Sequence, residues 1–241
     1  MTLLTIADAV FDEVQLDRLT AIAGSSDDGA RRLLRYANAA GLQLSRERDW
    51  QQLRREHSFT AIAGETQTGM LPADFDRFIP EAFYDRTNKV LMNGPIGPQQ
   101  WQALKASDVE NSERRSFIYR DSSVLAHPAF SGGESLAFEY MSSHWCEDNG
   151  GTGQSAFAAD TDVSRIDEEL LALGIAVAWL ASDGLSTGHM MHRYNTRLRQ
   201  LSRQDQPKRR TLPAGDIFAS GRQWDGTPPS QGGYNRINGW I

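Results

Sequence analysis

The sequence predicts an α+β fold: a helical bundle formed by the N- and C-terminal helices, with a small antiparallel β unit inserted between them and an extended C-terminal arm. Three observations carry that expectation. Apolar residues recur at helical spacing up to Trp50 and again from Ser164 to Leu201. Short alternating segments bounded by Gly, Pro and Asp-Ser turns fill the middle. From Pro207 onward, Gly and Pro break both periods. The expected divisions are 1–52 with 160–206 for the bundle, 53–159 for the β unit, and 207–241 for the arm.

In order, Ile6, Val10, Phe11 and Val14 predict an opening amphipathic helix that ends before Gly24. Asp27 or Asp28 can cap a second helix, whose stripe is Ala30, Leu33, Leu34, Ala37, Ala40 and Leu44, with Arg31, Arg32 and Arg35 on the wet face. The alternation His57, Phe59, Ala61, Ala63, followed by Gly64 and Gly69, predicts a hairpin. A turn or short helix at Ala73 to Phe78, strands near Glu81 to Thr87 and Lys89 to Met92, and a helix from Pro98 to Ala106 come next, the proline suiting a helix start. Segments Ser116 to Arg120, Val124 to His127 and Ser135 to Met141, separated by turn residues, predict a meander. Ser164 with Asp167 predicts the cap of a helix that runs to Gly184 and is apolar nearly all round, hence central. A partner helix carries Met190, Tyr194, Leu198 and Leu201 on one face and stops at Pro207. Trp50, Trp101, Trp145 and Trp179 fall in segments with core periodicity and are expected to pack.

The chain has 241 residues and a formal net charge of -6, which argues against gripping nucleic acid over its whole surface. The arm departs from this balance. Lys208, Arg209, Arg210, Arg222 and Arg236 against Asp216 and Asp225 make it +3, which leaves -9 for the rest. Cys146 is the one cysteine, so no disulfide can form within the chain, as suits a reducing cytosol. The opening residues lack a basic, then apolar, leader pattern, so no secretory signal is expected. The apolar run Leu170 to Ala181 falls short of the roughly 20 residues that cross a bilayer, and no membrane partner is expected.

The arm cannot build a core of its own, yet it keeps Ile217, Phe218, Trp224, Tyr234, Ile237, Trp240 and Ile241. Such anchors need an apolar surface, and a neighbouring subunit or another protein supplies one at the cost of ordering the segment. Arg209 and Arg210 join them as candidate partner-binding residues, since a basic arm suits an acidic partner surface.

Motifs for chemistry are mostly missing. His189 and His192 share a helical face without an evident third ligand. Asp160-Thr161-Asp162 opens like a calcium loop but has Arg165 and Leu171 where Gly and Glu are required. Gly64 to Gly69 lacks the Lys and hydroxyl of a phosphate loop, and Gly151 to Ala156 follows no buried strand. Cys146 and His144 lie two apart, pointing the same way on a strand. Glu81, Asp85, Glu139 and Glu147 could supply the acid and base of a peptidoglycan hydrolase, the alternative reading, although paired carboxylates leave no spacing signature. A third reading is a small binding protein using Lys208, Arg209 and Arg210 on nucleic acid. No cofactor, no metal and no catalytic residue is expected.

Several phrases recur in order along the chain: Arg48-Asp49-Trp50-Gln51-Gln52-Leu53, Leu71-Pro72-Ala73-Asp74-Phe75-Asp76-Arg77-Phe78 and Gly94-Pro95-Ile96-Gly97-Pro98-Gln99-Gln100-Trp101. Then follow Leu136-Ala137-Phe138-Glu139-Tyr140, Ala156-Phe157-Ala158-Ala159-Asp160-Thr161-Asp162 and Leu171-Ala172-Leu173-Gly174 before Trp179-Leu180. In these the chain resembles the head-to-tail adaptor proteins of tailed bacteriophages, the group that includes tail accessory factors and tail tubular A proteins. The resemblance covers roughly Leu3 to Leu201 and none of its phrases is catalytic. It implies a structural virion protein at the head-tail junction, present in the host cytoplasm during assembly. The implied assembly is a ring, usually of twelve copies, joining the portal protein to a tail or nozzle protein while DNA passes through without specific binding. It also implies that chain termini and arms clasp the portal or the adjoining subunit.

Overall fold

In a computed structural model that describes residues 1–107 and 114–205, the chain opens with α1 (Leu3–Val14). Thr2 caps it, its hydroxyl accepting from the Thr5 amide at 3.4 Å, and Gln15 ends it in the left-handed region at φ 59°. Asp27 caps α2 (Asp28–Glu47) by accepting from the Ala30 amide at 3.0 Å. A 3-10 turn at Gln51–Leu53 leads to β1 (Arg54–Thr60), β2 (Gly64–Gln67), β3 (Phe75–Asp85) and β4 (Val90–Leu91). After α3 (Pro98–Ala106) come β5 (Ser116–Arg120), β6 (Ser123–Phe130), β7 (Ser135–Ser142), β8 (Cys146–Glu147), β9 (Gly153–Gln154) and β10 (Val163–Ser164). The described chain closes with α4 (Glu168–Ser182) and α5 (Gly188–Gln204).

The expected helical bundle with a small inserted β unit is corrected by these elements. Among the described residues, ten strands form three antiparallel sheets, ordered β1-β7-β3-β4, β2-β6-β5 and β10-β8-β9, beside five helices. The architecture is mixed α+β. Its β part carries its own core, in which Phe83 lies 4.8 Å from Phe117 and 5.3 Å from Phe138 between ring centres. Burying each such side chain is worth about 1.5–3 kcal/mol, so this sheet core is a major source of stability.

Three local expectations fall with it. The hairpin read at His57 to Gly69 is absent, because β1 pairs with β7 while β2 pairs with β6 in a different sheet. The meander is likewise broken: β5 and β6 form a hairpin, but β7 leaves to lie between β1 and β3. The turn or short helix read at Ala73 to Phe78 is a turn only at Ala73 and Asp74; Phe75 already opens β3, which continues to Asp85 through a register shift between Phe78 and Phe83. Pro80 has no amide to give a ladder and Glu81 sits at φ 58°, so the strand bulges there and its alternation is lost.

The second core joins Leu3, Ile6, Val10 and Phe11 of α1, Leu33 and Leu44 of α2, and Leu170, Leu171, Ile175 and Trp179 of α4. Helix α4 is apolar on most sides because α1, α2 and α5 all pack on it. Its cap is Asp167, which accepts from the Leu170 amide at 2.9 Å, whereas Ser164 lies in β10 and bonds to Ile166. Met141, Trp145, Cys146 and Phe157, from the strand-rich segment, fill the same core, and Met1–Asp205 forms one unit. No helix among the described residues is long and apolar enough to cross a membrane.

Candidate functional site

A groove lies between α2, α4 and α5. Ala39 and Ala40 of α2 and Gly174 and Ala178 of α4 form its floor; Tyr36, Gln43, Leu44, Val177, Met191 and Tyr194 form its walls. Its volume is about 280 Å³. A Cβ on Gly174 would lie 3.5 Å from the Tyr194 ring and 3.7 Å from the Ala40 methyl, so α2, α4 and α5 approach one another closely there. Met191 is 39% exposed on the rim, an adaptable apolar side chain facing water.

Two tyrosines give the groove its polar handles. Hydrogen bonding from Ser182, then from Arg32, holds the Tyr36 phenol below its ordinary value. Burial pushes the Tyr194 phenol up, and the charge of Glu47 adds to this. Beside Tyr36 and outside the groove, the Arg32 guanidinium lies 4.4 Å over the Trp179 ring and bonds Ser182 and Asp183, while Arg35 lies 5.3 Å over the Tyr36 ring.

On its other side α5 is tied down by charge. Arg193 reaches Glu13 of α1 at 2.7 Å, and Arg197 forks onto Asp167 at 3.1 and 2.7 Å, so the residue capping α4 also anchors α5. The helix end is fixed as well: the Gln51 amide donates to the Asp205 carboxylate at 3.2 Å and the Gln51 side chain to the Asp205 carbonyl at 3.0 Å.

The candidate arm residues Arg209, Arg210, Ile217, Phe218, Trp224, Tyr234, Ile237, Trp240 and Ile241 lie outside the described residues, as does Lys208. The carboxylates of the hydrolase reading are held separately. Asp85 pairs with Arg115 at 2.9 Å, Glu139 with Arg54 at 3.8 Å and Glu147 with Arg165 at 3.0 Å, while Glu81 sits on the β3 bulge. Asp160 accepts from the Ile22 and Ala23 amides and Asp162 from those of Ala158 and Ala159, so the calcium-like segment is a backbone staple. Among the described residues no group of three or more His, Cys, Asp or Glu is placed to hold a metal, and His189 and His192 are exposed. Burial pushes the Cys146 thiol up to about 12, and the thiol donates to the Gln154 carbonyl.

Sequence reasoning missed the groove. It placed Tyr194 on a packed face, and the spacing of Gly174 and Ala178, one turn apart on α4, was the available signal. It also missed Asp74, which accepts from Tyr140 at 2.9 Å and Ser142 at 2.6 Å. Burial raises the Asp74 carboxyl, but the bonds from Ser142 and Tyr140 outweigh it and hold it below the usual range. Phrases far apart in the chain meet here: Asp49 pairs with Arg77 at 2.8 Å, and Asp74 with Tyr140. These contacts join segments far apart in the sequence. No protein-family model matches this chain, and a search of curated proteins returns no match.

Proposed function

We propose that this chain is a structural virion protein, a head-to-tail adaptor that assembles as a ring between the portal and the tail or nozzle of a tailed bacteriophage. The observation that carries the reading is the segment 207–241, whose aromatic and aliphatic side chains have no core of their own and whose charge is opposite to that of the rest of the chain. The ordered phrases from Arg48 to Leu180 support it, and the contacts Asp49 to Arg77 and Asp74 to Tyr140 give three of those phrases a packing role. The net charge of -9 outside the arm suits a channel that lets phosphates slide past. The arm is the docking segment of this assembly, clasping the portal or the adjoining subunit.

Electron microscopy of the full chain mixed with portal rings tests this. A second ring beneath the portal is expected, and a chain ending at Gln206 should remain folded and unattached. Attachment of the shortened chain as efficient as that of the full chain would end the proposal.

A further inference from the structure

We infer that the groove between α2, α4 and α5 is the receptor for the 207–241 arm of a second copy of this chain. The inference rests on the reading of the arm as a docking segment and names its receptor.

Groove and arm match in size and chemistry. At about 280 Å³ the groove is smaller than the roughly 300–1,000 Å³ of small-molecule pockets, and it suits one or two inserted aromatic side chains. Its walls offer the rings of Tyr36 and Tyr194 and the thioether of Met191, which pack well against an indole or phenol. The arm carries Trp224, Tyr234 and Trp240, spaced by Gly and Pro that break helical and strand periods. Its +3 charge approaches a body of -9, which speeds encounter.

Reach favours another copy over the arm's own subunit. Gln51 pins the end of α5 at Asp205, and Tyr194 lies eleven residues back, about 16 Å along the helix. Covering that gap takes only about 5 extended residues. The first large anchors, Ile217 and Phe218, come twelve residues beyond Asp205, a reach of about 40 Å, and Trp224 could lie about 60 Å away. The described body has an expected radius of gyration of about 17 Å, so these anchors extend well past it. An arm seated in the next copy's groove is a head-to-tail contact, which closes into a ring when the rotation permits.

Sedimentation velocity on the full chain at rising concentration tests the pairing. Wild type should self-associate. Ala178→Trp, which fills the groove, and Met191→Glu, on its exposed rim, should each weaken association at least ~30-fold, as should Trp224→Ser with Trp240→Ser in the arm. Circular dichroism checks that each variant is folded, and Met191→Glu serves if Ala178→Trp is not. Mixing the groove variant with the arm variant should restore a one-to-one complex, because one partner keeps an arm and the other a groove. Groove variants that associate like wild type while the arm variant does not would overturn the receptor and leave the docking arm standing. Association unchanged in the arm variant would overturn both. A mixture that stays monomeric, or a wild type that never associates, would overturn docking between copies.

Discussion

The indole of Trp145 occupies the space in front of Gly41: a Cβ on Gly41 would come within 2.3 Å of the ring. Trp145 is fully buried, donates from its indole nitrogen to the Ser155 carbonyl at 2.7 Å and meets Phe157 edge-on at 4.7 Å, so it has nowhere to retreat. Gly41→Ala is therefore expected to destabilise the protein by about 1–3 kcal/mol despite the better helix propensity of alanine. Gly174→Ala should act in the opposite sense. Its Cβ would meet Tyr194 and Ala40 at ordinary contact distances, and relief of the glycine cost in a helix should add about 0.5–1 kcal/mol. Thermal melts of the two variants check the opposed signs.

Arg115 bonds two nearly buried carboxylates: Asp85, 2% exposed, at 2.9 Å and Glu134, 8% exposed, at 3.4 Å. Arg115→Met removes the guanidinium, which also lies 4.6 Å over the Phe130 ring, and strands both charges, and the expected loss is about 3–5 kcal/mol. Urea denaturation would show it. A change under 1 kcal/mol would mean that Asn88 and the Ser131 and Gly132 amides satisfy those carboxylates unaided.

Asp74 makes stability depend on acid. Its folded value lies below the unfolded one near 3.9, so its contribution is present above that pH and disappears as pH falls through the folded value. Asp74→Asn should cost about 1–3 kcal/mol at neutral pH and flatten the acid limb of the stability curve. An unchanged acid limb would contradict this role.

Tyr140, donor to Asp74, responds at the other end of the scale. Burial, then the bond to Asp74, raises its phenol to about 12. Because the folded value exceeds the unfolded one near 10, its contribution is whole below pH 10 and lost as pH rises through about 12. A phenolate titration of wild type against Tyr140→Phe should show one late-ionising tyrosine missing from the variant.

Cys146 should be inert in the native protein. Its thiol is fully buried and raised to about 12, so a thiol-specific reagent should label it only after denaturant is added. Rapid native labelling would mean that the β8 region opens.

Much of the helical part was legible because its signals are local. The stripe from Ala30 to Leu44 and the Pro98 start of α3 need only neighbours in sequence. The sheets were not legible. β1 and β2 alternate as a hairpin would, and only the distant partners Phe138 and Leu125 assign them to different sheets. Strands of two residues, such as β8 and β9, carry no period at all. The groove was hidden for a similar reason: α4 is apolar nearly all round, so its own period does not mark the stretch around Gly174 and Ala178 that lines the groove.

The most direct measurement is an electron-density map of the assembled oligomer, traced through Pro207 to Ile241. The account predicts that Trp224 or Trp240 of each copy lies between Tyr36 and Tyr194 of another copy. An arm folded onto its own subunit everywhere, with that groove empty, would contradict it.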